Sequence, residues 1–395
     1  MKTIWMHQNH RSYFGKYKGR LSDVRADDLV ASLLNQPMNS RPEAVVLGCA
    51  NQAGEDARNI ARLSVLLSTL PETTPAVTLN SLCGSSLHAL DYAYLQLKTG
   101  RYQSLWAGGV EQMTRSPLVR LPSHIQRDAP WQDSTFGWRF THPDFQERAA
   151  GRSMLQHAES LARLAGLNRS DLDAYTLMAQ QRYAQYVTQW AEEAVPVRDL
   201  QGNPLLDYDE VARPYLSMKH LERLSPLLEG GLHTPAHVAP YADGAVGMLI
   251  STEKKAFATL KSDSPFAIEI VDLLILATAP EDMPLAGLKA LEQLAQRHGL
   301  ALQDVACFEY HETFASAHVL QCRALGQEAL TDSRINRWGG ALAVGSPMGA
   351  TALRSVGTLA HRLLQEGTSQ HPYGLASMSV GMGLGMAVLL KRHAL

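Results

Sequence analysis

The chain has 395 residues, 45% hydrophobic and 19% charged, which is enough apolar material for a large core and too much length for one small unit. Lys and Arg total 36 against 38 Asp and Glu, a formal charge of −2, so no electrostatic footprint for nucleic acid or an anionic membrane is present. The four cysteines, Cys49, Cys83, Cys307 and Cys322, have neither the density nor the spacing of a disulfide framework or a zinc site, which implies a reducing compartment. The opening stretch, Met1 to His10, turns polar too soon for a signal peptide. The richest apolar run, Phe266 to Ala277, is interrupted by Glu269 and Asp272, so no membrane span is expected and the cytoplasm is the expected location.

From the start to about Glu111, apolar runs alternate with helical patterns: Val45 to Leu47, a helix around Asn59 to Leu70, a short run Pro75 to Leu79 read as a buried strand, a further helix, and Ser104 to Ala107. Between about Thr114 and Ala242 the character changes. Pro117, Pro122, Pro130 and Pro143 break the first part into loop, with Trp131, Phe136, Trp138 and Phe140 clustered in it. Helical patterns follow from Arg152 to Ala165 and from Ser170 to Trp190, the second with Ser170 as its expected N-cap. After Asp243 the alternation resumes: Ile268 to Val271, a helix Leu285 to His298, Val305 to Glu309, a helix from Thr313, Ala341 to Val344, a helix Thr351 to Leu364, and Leu375 to Leu389. Read this way, the chain is an α/β protein with an insertion.

The stretch Thr78 to His88 carries the chemistry. A strand-like run ends, Cys83 sits at the turn, and Leu87, Leu90, Tyr94 and Leu97 then fall on one helical face that Gly100 stops. A cysteine at a helix N-terminus meets unpaired N–H groups and the positive end of the dipole, which favour the thiolate, a nucleophile for acyl carbonyls. Geometry alone leaves a second reading open, a small buried core residue.

Asn80-Ser-Leu-Cys83-Gly84-Ser-Ser-Leu-His-Ala-Leu resembles the nucleophile segment of the thiolases, the acyl-CoA C-acyltransferases, and Ala107 to Met113 resembles the strand that follows it. The likeness continues through Asn59 to Arg62, Asp243 to Val246, Glu309 to Ala315, Gly339 to Gly349 and Gly381 to Gly385, so it spans nearly the whole chain. It implies a duplicated α/β unit in five layers, α-β-α-β-α, with residues 1–116 completed by 242–256 as one half, 117–241 as an inserted loop subdomain and 257–395 as the other half. A homodimer or homotetramer is also implied, with a hetero-oligomer as the alternative.

The resemblance implies that Cys83 accepts the acyl group and that His311, first in the block His311-Glu312-Thr-Phe314, donates to a thioester oxygen or relays through water; Glu312 and Phe314 match beside it. Two positions depart from the family. Ser346 stands where a histidine usually activates the nucleophile, and Ser379 where a second cysteine usually shuttles the α-proton; neither hydroxyl can take a proton near neutral pH. Ordinary Claisen chemistry is therefore expected to be weak. His237 and Trp338 also replace smaller family residues along the substrate channel, Trp338 narrowing the site or filling core, and His157, His233 and His237 are candidate replacement bases. The Gly381 to Gly385 run resembles a dinucleotide loop but leads into a strand-like stretch, so a tight turn at the acyl site is expected there.

The expected activity is acyl transfer through an acyl-thioester on Cys83, from acyl-CoA or an acyl carrier protein to an acceptor, with coenzyme A thioester as substrate and no resident cofactor or metal. The alternatives are a catalytically degenerate scaffold subunit and a thioester hydrolase.

Overall fold

A computed structural model describes residues 2–134, 142–145, 152–199, 201–261 and 263–395. In chain order, strand β1 (Ile4–Ser12), helix α1 (Ala26–Leu34), β2 (Ala44–Gly48), α2 (Ile60–Leu67), β3 (Ala76–Leu79), α3 (Ser85–Lys98) and β4 (Ser104–Gln112) come first. Helices α4 (Met154–Leu164) and α5 (Arg169–Gln185) precede β5 (Ala242–Ser251). The remainder is β6 (Phe266–Ala277), α6 (Ala286–Arg297), β7 (Val305–Tyr310), α7 (Ala315–Ala324), α8 (Thr351–Glu366), β8 (Tyr373–Val380) and β9 (Leu384–Ala394).

These strands form one sheet in the order β7-β8-β9-β6-β1-β5-β4-β2-β3, with the two-residue strands Gly15–Lys16 and Ala194–Val195 pairing on β5 and β1. The order repeats itself outward from the β1–β6 junction. β1 pairs antiparallel with β5, β5 antiparallel with β4, and β4 parallel with β2; β6 pairs antiparallel with β9, β9 antiparallel with β8, and β8 parallel with β7. Even the parallel edge strand β3 has a remnant counterpart in the bridge between Phe308 and Ile335. A duplicated unit is visible in the hydrogen bonding.

Helices α3 and α8 pack together in an apolar core shared with strands of both halves. Helices α1 and α2 cover the outer face of the first half-sheet, and α6 and α7 cover that of the second. Five layers result, as the resemblance implies. The apolar stripe of α3 decides its place: Leu87, Leu90, Tyr94 and Leu97 are all buried, and Gly100, at φ +78°, closes the helix with its N–H on the Leu97 carbonyl.

Local departures from the sequence reading have physical causes. The run before Cys83 is a half-exposed edge strand rather than a buried one, because β3 is last in the sheet order. Helix α5 is capped by Asn168 and not by Ser170; Asn168 accepts from the Asp171 N–H while Asp171 reaches back to the Asn168 N–H, and the Ser170 hydroxyl donates to Asn168. It ends at Gln185, and Val187–Trp190 is a separate turn. Ala341–Val344 is a single helical turn where alternation suggested a strand. Of the aromatic cluster in the first loop, Trp131 is exposed, while Phe136, Trp138 and Phe140 lie outside the described residues.

Candidate active site

Four segments from distant parts of the chain converge. The first is the elbow before α3. Asn80 anchors it by donating to the Ala50 carbonyl and accepting the Leu82 N–H at 2.9 Å each, and Leu82 is held at φ +53°, an uncommon conformation for a branched residue. The Ser85 hydroxyl donates to the Leu82 carbonyl and accepts from the Ser81 N–H, which tightens the turn. Cys83 follows directly, partly exposed, two residues before the helix begins.

The second segment is the turn between β8 and β9, Gly381–Gly383, with Met382 at φ +65° and Gly383 at +85°. It joins antiparallel strands, so the glycine run is a tight turn as expected and offers no helix N-terminus to a phosphate. Backbone N–H groups of Gly381, Cys83 and Gly84 face the Cys83 sulfur and favour its charged form. Desolvation nevertheless outweighs them and pushes the thiol pKa up, which corrects the expectation that its place before α3 would favour the thiolate.

The third segment is Ser346 to Thr351. Gly349 donates to the Glu111 carboxylate at 2.8 Å, and that carboxylate also accepts from Ala50 and Asn51, fixing the loop to the ends of β2 and β4. Burial raises Glu111 to about 7. A Cβ at Gly109 would collide with the Gly349 carbonyl and with Ser86, so the loop lies directly on the first turn of α3. Ser346 itself is half-buried, its N–H donating to the Pro240 carbonyl at 2.8 Å.

The fourth is the loop after β7. His311 donates its backbone N–H to the Ser377 carbonyl at 2.9 Å, and its Nδ1 lies 3.4 Å from Thr351 Oγ1. Burial and the nearby Arg354 cation pull its imidazole down to about 3, so it is neutral at physiological pH. His311, Thr313, Phe314, Gln321 and Ser379 line a single cleft with Met154, Met283, Pro284 and Ala317. The Ser379 hydroxyl donates to the Pro284 carbonyl at 3.1 Å and accepts from the Gly287 N–H at 2.9 Å.

Other residues singled out in the sequence lie elsewhere. Trp338 is buried against Trp190 and Tyr186, its carbonyl accepting from the Trp190 indole, so it fills core and does not narrow the cleft. Glu312 is spent on the Tyr175 hydroxyl and the Leu342 N–H, a buried brace rather than a substrate contact. His237 bonds Asp173 at 2.7 Å through Nε2 and takes the Thr234 N–H on Nδ1, and His233 is held between Glu159 at 2.9 Å and Ser316 at 2.7 Å. His157 is buried on α4 and, like those two, is not among the cleft residues.

Residues that sequence reasoning passed over include Glu111, Met154, Met283, Gln321 and Thr351. A signal existed for one of them: Phe314, Ala317 and Gln321 recur at i, i+3 and i+7, the spacing of one helical face.

Comparison with known proteins identifies the family. Residues 6–254 match the model of the thiolase N-terminal domain and residues 265–392 that of the thiolase C-terminal domain. The chain is 36% identical to the 3-oxoadipyl-CoA/3-oxo-5,6-dehydrosuberyl-CoA thiolase of Escherichia coli K12, covering 99% of this chain and 100% of that protein. It is also 36% identical to the β-ketoadipyl-CoA thiolase of Pseudomonas aeruginosa, covering 97% of each. Human mitochondrial 3-ketoacyl-CoA thiolase superposes with a TM-score of 0.85 at 25% identity over 99% of both chains, and its complex with CoA gives the same score over 100% of this chain and 98% of that one. This chain therefore belongs to the thiolase family of acyl-CoA acyltransferases.

Proposed function

We propose that Cys83 carries the acyl group. The Cys83 sulfur attacks the carbonyl carbon of an acyl-CoA or acyl-carrier-protein thioester, the bond from that carbon to the carrier sulfur breaks, and the departing thiol leaves with the proton that Cys83 gave up. The acyl-cysteine then delivers its acyl group to an acceptor. In thiolysis the same sulfur attacks the 3-keto carbon, the bond to the α-carbon breaks, and the resulting enolate takes a proton. One observation carries the reading: the Gly381 N–H faces the Cys83 sulfur and favours its charged form, while Ser379, two residues from Gly381, lines a cleft with His311. A neutral His311 is suited to donate to a thioester or enolate oxygen.

Ser346 and Ser379 supply no base, so carbon–carbon bond cleavage is slower here than in relatives that carry histidine and cysteine there. Coenzyme A thioester is substrate, and the reaction as written uses no resident cofactor. The same reading treats 1–116 with 242–256, and 257–395, as two copies of one unit with 117–241 inserted. The four free cysteines suit the cytoplasm, and among the described residues no helix is long and apolar enough to cross a membrane. A homo-oligomer is favoured by the open edge of β3, where Val77 lies exposed with Leu66, Leu67, Tyr92 and Leu95 nearby in the chain.

Intact-mass analysis after incubation with a panel of acyl-CoA thioesters tests the proposal. An acyl adduct on the native protein that Cys83→Ala abolishes is expected; no adduct with any thioester overturns it. A second reading, a scaffold subunit without catalysis, is favoured by the committed Ser379 hydroxyl and the raised Cys83 thiol. It predicts co-purification with an active homologue in a complex indifferent to Cys83→Ala. Thioester hydrolysis would show instead as coenzyme A release with no acceptor present.

A further inference from the structure

A neutral imidazole has one nitrogen that donates and one that accepts, and the partner of one nitrogen decides where the other presents its proton or its lone pair. His311 is neutral because burial and the Arg354 cation both oppose its charging. Its main chain is fixed on both sides. The His311 N–H is held by the Ser377 carbonyl at 2.9 Å, and the preceding residue, Tyr310, has its N–H on Asn336 Oδ1 and its carbonyl on Asn336 Nδ2, at 2.8 Å each. What the ring then meets at Nδ1 is the Thr351 hydroxyl at 3.4 Å, a long contact of the kind that tightens when a reacting complex forms.

Building on the reading that His311 donates to a thioester or enolate oxygen, we propose that Thr351 is a positioning residue: its hydroxyl donates to His311 Nδ1 and thereby keeps the ring proton on Nε2. Thr351 is fully buried at the start of α8, and among the described residues its hydroxyl has no other partner. Were the proton on Nδ1, the hydroxyl could only accept, and its own proton would be buried with nothing to receive it. A ring turned over would set a carbon against the hydroxyl and leave the same proton stranded. With the proton on Nε2, the hydroxyl gives, Nδ1 takes, and Nε2, which has no protein partner among the described residues, is free to donate into the cleft that His311 lines. A bond received at Nδ1 also polarises the ring, which makes Nε2–H the stronger donor.

NMR of the histidine ring nitrogens tests the proposal directly, with His311→Gln used to assign the signals. In the native protein a protonated Nε2 and an unprotonated, hydrogen-bonded Nδ1 are expected; a protonated Nδ1 overturns the proposal. Thr351→Val keeps the shape and removes the hydroxyl, so the Nδ1 signal should move toward that of an unbonded lone pair. The maximal rate of Cys83 acylation, with the thioester that labels the native protein best, should fall about tenfold at a nearly unchanged half-saturating concentration, because the weakened donor acts on charge that develops in the transition state. Thr351→Ser, which restores a hydroxyl, should recover most of both effects, and Thr351→Ala replaces the Val variant if that one does not fold. A role in packing alone gives the opposite order, Val close to native and Ser impaired; that order, or an Nδ1 signal unmoved by loss of the hydroxyl, overturns the proposal. Absence of any Cys83 adduct in native protein that still shows the Nε2–H form overturns the acyl-transfer reading instead, a separate outcome.

Discussion

Ser379 has both halves of its hydroxyl engaged, giving its proton to the Pro284 carbonyl and taking the Gly287 N–H on its oxygen. Its main-chain place is two residues before Gly381, and an alcohol there is neither free nor basic near neutral pH. Ser346 likewise offers no proton acceptor. If these two positions limit carbon–carbon bond cleavage, the double variant Ser346→His/Ser379→Cys should raise thiolysis kcat by at least about tenfold, a typical lower bound for one restored acid–base group. Ser379→Cys alone should cost ~1 kcal/mol by urea denaturation, through loss of its two hydrogen bonds. Unchanged kcat in a folded double variant would show that the serines do not set the rate. Both departures could be seen in the sequence because they interrupt local blocks. That Ser379 is tied to the loop before α6, about 95 residues earlier, could not.

At the scale of elements, packing between strands shows most clearly at Trp106. Its ring on β4 lies against Gly108 of the same strand and Gly247 of β5, where a Cβ at either glycine would overlap it. β4 and β5 are both buried throughout, apart from Ser104, so nothing nearby can move aside into solvent. Gly247→Ala should destabilise the protein by ~1–3 kcal/mol, the range for overpacking a core, with the midpoint of chemical denaturation as the measure. A neutral effect would mean that the ring has another rotamer available. The helical periodicity of α3 placed all four of its predicted residues in the core, since a stripe at that spacing has only one way to be buried. Exposure of β3 was not legible, because an apolar run reads the same at the edge of a sheet as at its centre.

Across the whole molecule, the segment between β4 and β5 is fastened to the sheet by charge as well as by packing. Arg11 of β1 holds Glu193 at 2.9 Å and Asp209 at 2.7 Å, with all three side chains fully buried, and its guanidinium lies over the Phe14 and Trp190 rings. Arg11→Met would leave two carboxylates buried without a counter-charge, and a loss of ~3–5 kcal/mol is expected in urea denaturation. A loss below ~1 kcal/mol would show that the carboxylates are readily protonated or hydrated once released. Arg362 with Glu309 does similar work between α8 and β7 at 2.7 Å.

The sequence by itself determined the family, the α/β alternation, the duplicated series of elements and the chemical identity of the groups at the acyl site. Such information is local: periodicity spans one helix or strand, and each site block is a few consecutive residues. Tertiary structure alone decided which polar groups are consumed by one another, that Trp338, Glu312 and His237 brace the interior away from the cleft, and that desolvation pushes the Cys83 thiol up and His311 down. Those outcomes depend on burial and on partners far apart in the chain, and a side chain's charge and hydrogen-bonding capacity are fixed by its surroundings as much as by its type.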